Sequence, residues 1–222
     1  MTNKIRTLND EGKLTIQQPD LLSFLAYIER PVLIEDLTLL HFNIQDLIRP
    51  LQELNVVEVE GGSAQLTAGI AAQVQEELGA DLDSIERFYI PSLANEFYID
   101  PEDDNSHLNS LAALAEGIVL KAERGSEALM SLANNLVNFF VTEQAFERAL
   151  VMLDKSDEWM SDQNLPVMYF VSALYNRYQI QLGLGRPNDA AEALKEALAK
   201  LESEGMQESN EYQTLNSYLQ AL

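Results

Sequence analysis

The chain has 222 residues, 46% of them hydrophobic, with no cysteine and two histidines, and its 14 basic side chains face 36 acidic ones for a formal charge of −22. That length suffices for one large domain or two small ones with buried cores of their own. The composition excludes a disulfide scaffold, a thiolate metal site and a cysteine nucleophile, and it argues against a histidine metal site, since His41 and His107 are far apart in the chain.

Residues 1–18 read as a polar lead-in, expected to be partly unstructured. Apolar residues then recur at three- and four-residue steps over Leu21–Ile28, the spacing of a helix. Asp20 is its expected N-cap, and Glu29-Arg30-Pro31 ends it, because the residue before proline disfavours the α region. A short helix is expected over Ile34–Leu40. Asn43-Ile-Gln-Asp46 resembles a capping box for a third helix, whose stripe is Ile44, Leu47, Ile48, Leu51 and Leu54. Pro50 falls inside that stripe and should bend it.

Val56–Glu60 and Ser63–Leu66 flank Gly61-Gly62, the pattern of a short hairpin. Thr67 is the expected cap of a helix over Ala68–Leu78. Beyond residue 81 no strand is expected. Asp81–Phe97 reads as one helix, bent or divided at Pro91, and Tyr98–Asn105 as a loop. Later helices are expected at 106–123, 126–140, 143–154, 162–183, 187–203 and 207–221. Short connections imply antiparallel neighbours. The fold class is therefore mainly α. A winged-helix-like module with a short β-hairpin occupies 1–80, and an all-helical repeat domain of antiparallel helices occupies 81–222.

Two segments of the second domain can be superposed. Ala145, Ala149, Met152 and Leu153 align with Ala190, Leu194, Ala197 and Leu198 at an offset of 45 residues. In this register Gly185 has no glycine counterpart, since residue 140 is Phe. Gly185-Arg-Pro-Asn-Asp-Ala190 through Leu194 and Ala197-Leu198 resembles the second helix of a tetratricopeptide repeat, although that family repeats every 34 residues. Residues 20–78 resemble the winged-helix module of STAND-type signalling ATPases. The resemblance is carried by Leu22–Ile28, Pro31–Ile34, Ile44–Leu54 with Val56-Val-Glu-Val, and Gln65-Leu66 through Val74–Leu78. In that family the module lies between a nucleotide-binding core and helical repeats, and commonly packs on neighbours rather than reading DNA. The chain lacks the G-x-x-x-x-G-K-[ST] loop of the core. It resembles the arm of such a protein without its motor.

The acidity is even. Residues 1–80 hold 5 basic and 12 acidic side chains, residues 81–140 hold 3 and 11, and residues 141–222 hold 6 and 13. Phosphate contacts need positive partners, so direct nucleic-acid binding is disfavoured. On the third helix the exposed set would be Gln45, Asp46, Arg49, Gln52 and Glu53, one cation against two acids. Asp100-Pro-Glu102-Asp103-Asp104-Asn105 lacks the spacing of a calcium loop. No signal-peptide core opens the chain and no run has the length of a membrane span, so a cytoplasmic protein is expected.

Met168-Tyr169-Phe170, Tyr175 and Tyr178 share one long predicted helix. Tyr175, Arg177 and Tyr178, with Asn176 nearby, could line a groove whose polar wall is Asn134, Asn135 and Asn138. Tyr and Arg are enriched where partners bind, and helical repeats present concave surfaces. No catalytic residue, metal site or cofactor is expected. The expected function is that of a non-enzymatic adaptor or regulator that binds a protein partner, including one with a basic surface. The alternatives are a DNA-associated regulator acting through the winged-helix module, or an acidic inhibitor that mimics nucleic-acid charge.

Overall fold

The computed structural model describes residues 3–100, 103–161 and 163–222. Met1 and Thr2 of the lead-in, Pro101 and Glu102 of the expected loop, and Asp162 at an expected helix start lie outside the described residues. The described chain is mainly helical, with one small antiparallel sheet. Its compact units are Met1–Glu96 with Leu108–Leu111, and Phe97–His107 with Ala112–Leu222.

In the first unit the lead-in is folded where a loose segment was expected. Lys4–Asp10 forms helix α1, capped by the Asn3 side chain, which accepts from the Arg6 N–H. Ile5 and Leu8 share one face and are buried against α5 (Ala71–Glu77). Arg6 ties the pair together with contacts of 3.1 Å to Glu76 and 2.8 Å to Glu77.

Helix α2 runs over Gln18–Ile28. Asp20 lies in its first turn rather than at the cap, because Pro19 starts the helix earlier; a first-turn proline loses no backbone bond. Gln18 is fully buried; its amide donates to the Leu47 carbonyl at 3.0 Å and accepts from the Thr15 N–H at 2.8 Å. The chain then passes through β1 (Val32–Leu33), α3 (Ile34–Leu40), α4 (Ile44–Glu53), β2 (Val57–Glu60) and β3 (Ser63–Leu66). Asn43 precedes α4, but its side chain makes no capping bond, and Pro50 sits within the helix. Strand β1 was not expected. It pairs with β3 through Val32 opposite Ala64, which gives a sheet ordered β1-β3-β2. Gly61 and Gly62 both take positive φ, 58° and 81°, as a two-residue turn between twisted strands requires.

The expected helix Asp81–Phe97 is two helices, α6 (Leu82–Glu86) and α7 (Tyr89–Glu96). The break falls at Arg87-Phe88. Pro91 lies near the start of α7, where its missing N–H has no helical partner to lose. Both helices belong to the first unit, so its edge lies beyond the expected boundary at residue 80. They fill its core with Ile85, Tyr89, Ile90 and Leu93, and Tyr89 stacks on Phe24 at 4.0 Å. His41 caps the end of α3 and is buried beside Phe88, their rings 4.7 Å apart. A 3-10 turn, Ser106–Leu108, leads into α8 (Asn109–Lys121). Ser110 donates to the buried carboxylate of Asp36 at 2.6 Å.

The second unit is built on α9 (Glu127–Thr142), α10 (Phe146–Ser161), α11 (Val167–Gly183), α12 (Pro187–Ser203) and α13 (Asn210–Ala221), each packed on the next. The turn from α9 to α10 repeats in the turn from α11 to α12. Glu143, Gln144 and Ala145 donate to Phe139, Val141 and Phe140; Leu184, Gly185 and Arg186 donate to Ile180, Leu182 and Gln181. Every member of the first set lies 41 residues before its counterpart in the second. Gln144 and Gly185 both adopt the left-handed conformation, at φ 57° and 71°. The counterpart of Gly185 is thus Gln144, not Phe140. The sequence superposition at 45 is one helical turn out of register. Ala149 pairs with Ala190 and Leu153 with Leu194, all four buried. A four-residue slip keeps a residue on the same helix face, which is why the apolar pattern still matched.

Gly183 is fixed by packing. A Cβ there would lie 2.4 Å from the Phe146 ring. Gly125 holds the same close approach to Trp159, at 2.4 Å.

Candidate interaction groove

The second unit carries two adjoining cavities, of about 460 and 560 Å³, that share Asn134, Met168 and Ser172. Helical periodicity explains the lining. Asn134 and Asn138 are four apart on α9, and Met168, Ser172 and Tyr175 recur at four and three on α11. Glu211, Thr214, Leu215 and Tyr218 make the matching stripe on α13. Residues at this spacing share a face. The walls therefore come from α9, α11 and α13, the helices that alternate with α10 and α12. Helix α10 adds Leu153, Ser156 and Met160 to the second cavity, and α12 contributes to neither.

An amide pair joins two walls. Asn176 is buried and donates from Nδ2 to Oδ1 of Asn134 at 3.2 Å. Asn138 presents a further amide one turn along α9. Tyrosine rings close one end. Tyr175 and Tyr218 are stacked at 6.0 Å, and burial together with a hydrogen bond to Tyr218 pushes the Tyr175 phenol above its ordinary pKa. The Tyr175 phenol is therefore neutral at physiological pH.

Of the six residues expected to bind a partner, the structure brings Asn134, Asn138 and Tyr175 to the groove. It does not bring the other three there. Asn135 is half-buried, follows Asn134 around the helix, and lines neither cavity. Arg177 is turned to α10, where its guanidinium contacts Asp154 and Asp157 at 2.7 Å each. Burial raises the Asp157 carboxyl above the usual range, and Arg177 offsets only part of this. Arg177 clasps two helices. Tyr178 packs against both Tyr175 and Tyr218, at 5.9 and 5.7 Å, and supports the lining without joining it.

Met168, which opens the stretch expected to line a groove, does line both cavities, whereas Ser172 and the face of α13 were missed. The α13 stripe is legible as an amphipathic face, but nothing in a single sequence says that this face opens on a cavity rather than on another helix.

Neither histidine lines the groove, so its serines have no imidazole base beside them. Among the described residues there is no group of three or more histidine or carboxylate side chains that could hold a metal ion. No described helix is long and apolar enough to cross a membrane.

On α4 the exposed Arg49 is paired to Glu53 at 3.4 Å, and on the hairpin Gln65 donates to Glu58 at 2.6 Å. No protein-family model matches the chain, and no curated protein or solved structure matches it.

Proposed function

We propose that this chain is a non-enzymatic interaction protein that binds a peptide segment of a partner protein in the groove between α9, α11 and α13. The observation that carries this reading is the run of two cavities joined through Asn134, Met168 and Ser172. Together they offer a largely apolar bed with amides along its walls. A side-chain amide both donates and accepts, so it can pair with the backbone of an extended segment whatever its sequence. Apolar surface then supplies affinity, and the amides set orientation.

The same reading gives the second unit a tetratricopeptide-like architecture. It is supported by the repeated turn, by the buried small residues Ala149 and Ala190, and by the alternation of groove-lining and backing helices. For the first unit we propose a winged-helix-like module of the kind found in STAND-type proteins. The order α2-β1-α3-α4-β2-β3 with sheet order β1-β3-β2 supports it. Its role here is to pack on other protein, since the paired Arg49 and the acidic hairpin disfavour phosphate.

The test is a selection of random twelve-residue peptides on the immobilised full chain. Selected peptides are then measured by fluorescence anisotropy against Ser172→Trp. Ser172 is exposed at the junction of the cavities, so an indole there blocks the groove without entering the core. The expected result is at least tenfold weaker binding, with an unchanged circular dichroism spectrum. Equal binding, or no selected peptide, overturns the reading.

A further inference from the structure

The groove is chemically lopsided. Glu211 lines the first cavity and Glu127 the second, and among the described residues no lysine or arginine lines either. An acidic occupant would meet two carboxylates and no counter-charge where water is partly displaced. The two cavities also differ from each other. The first presents the stacked rings of Tyr175 and Tyr218. Aromatic faces carry negative quadrupole charge and attract cations. The second is lined by Met130, Met160 and Met168 with Val137, Leu153 and Leu165. Methionine adapts its shape to the apolar group that enters.

We infer that the occupant is a linear segment of a partner protein that places an arginine or lysine against Tyr175, Tyr218 and Glu211, and a large apolar side chain among the methionines. The inference rests on the peptide reading above and names its specificity. Asn134 and Ser172 lie where the cavities meet and face the backbone between the two anchors. Glu211 stands in the first turn of α13, where free backbone N–H groups offset part of its charge. The carboxylate therefore works with the rings and not alone. This separates a local cation site from the general attraction of a chain with a charge of −22.

The experiment uses a peptide selected on the full chain. Its arginine is replaced by citrulline, or its lysine by norleucine; either change removes the charge while nearly preserving shape. Binding to the unaltered protein should weaken roughly 2- to 30-fold, the range of a cation over aromatic rings. In the double variant Tyr218→Leu with Glu211→Gln, which keeps only Tyr175 of the three, the same replacement should cost clearly less. A selected peptide without a cation overturns the inference, and so does a charge replacement without effect. A penalty that persists undiminished in the double variant also overturns it, because the cation is then answering the overall acidity. In all three cases a loss of binding on Ser172→Trp leaves the groove reading standing. Binding indifferent to Ser172→Trp, or an empty selection, overturns the groove reading and the inference with it.

Discussion

Aromatic rings close the first unit and line an opening in the second. In the first, Phe24 stacks on Tyr89, Phe88 meets Tyr89 edge-on at 5.1 Å, and both Phe24 and Tyr89 are fully buried. In the second, Tyr175, Tyr178 and Tyr218 make a three-ring cluster, each ring about 6 Å from the other two, that is only half-buried. The residue types are alike. What differs is the layer beyond them. Helix α2 is covered by α5, α6 and β3, so its rings are core. Helices α11 and α13 pack on α12, and across the faces they share with α9 lies a cavity. An aromatic stripe thus becomes core or binding surface according to whether a further element covers it.

The sharpest test of that contrast is to delete a ring from each stack. Phe24→Ala removes a fully buried ring and should cost about 3–5 kcal/mol. Tyr218→Ala removes a ring that already faces solvent on one side and should cost about 1–2 kcal/mol. Urea denaturation of the full chain measures both. Equal losses would mean that the tyrosine stack is ordinary core, and the groove would lose its special standing.

The next largest effect separates fold from recognition inside the second unit. Arg177→Met breaks both contacts to α10 and leaves Asp157 half-buried without its cation, which should cost about 1–3 kcal/mol. Peptide affinity should not change, because Arg177 lines neither cavity. Tyr218→Leu should do the reverse and lower affinity with little loss of stability. A variant at 177 that loses affinity while keeping its fold would restore this arginine to the binding surface.

The two units also differed in how far their sequences could be read. The stripes of α2 and α4 and the Gly61-Gly62 turn were legible because local spacing and φ preference decide them. Strand β1 was not, since two residues have no period and β1 exists only because β3 offers a partner edge. Helix α1 carries just two apolar residues, and its stability comes from α5, a contact 60 or more residues away along the chain. In the second unit the helices were clear but the repeat register was not, because a shift of four residues preserves the face. The groove was half legible. Asn134, Asn138 and Tyr175 follow from placing polar and aromatic residues on neighbouring helices. Arg177 lies only two positions from Tyr175, yet a helix turns about 200° in that interval, and the sequence alone does not say which side holds Asp154 and Asp157.

Acid should reach the first unit through its closed aromatic core. Burial holds the His41 imidazole below its ordinary pKa, and Asp20 offsets only part of this. Above the ordinary histidine range both folded and unfolded chains are neutral at this site. Below it the unfolded chain takes up a proton that the folded one refuses, so stability falls as the pH drops toward the folded pKa. Asp36 works the other way at lower pH. Burial raises its carboxyl, so its contribution is largest when protonated and is lost as the pH rises through that value. Relief of repulsion among the many carboxylates also favours the acid side. The informative quantity is therefore the difference between His41→Phe and the unaltered chain. Between pH 7.5 and 5.5, denaturant midpoints should fall more steeply with histidine than with phenylalanine. Parallel slopes would mean that position 41 is hydrated.

The smallest expected effect probes the repeat itself. Gln144 and Gly185 occupy the same place in two turns related by 41 residues, yet only one is glycine. A residue with a side chain pays about 1–2 kcal/mol to enter the left-handed region. Glycine avoids this but loses more freedom on folding, about 0.5–1 kcal/mol relative to alanine. Gln144→Gly should therefore raise stability by a few tenths to about 1 kcal/mol. Gly185→Gln should lower it by a similar amount, since a Cβ at 185 meets nothing within 4 Å and only its φ resists the change. Thermal midpoints of the two variants, moving by similar amounts in opposite directions, would establish that the turns are energetic equivalents. A register of 45 residues would instead pair Gly185 with Phe140, inside the last turn of α9, and would give no reason for the two effects to mirror each other.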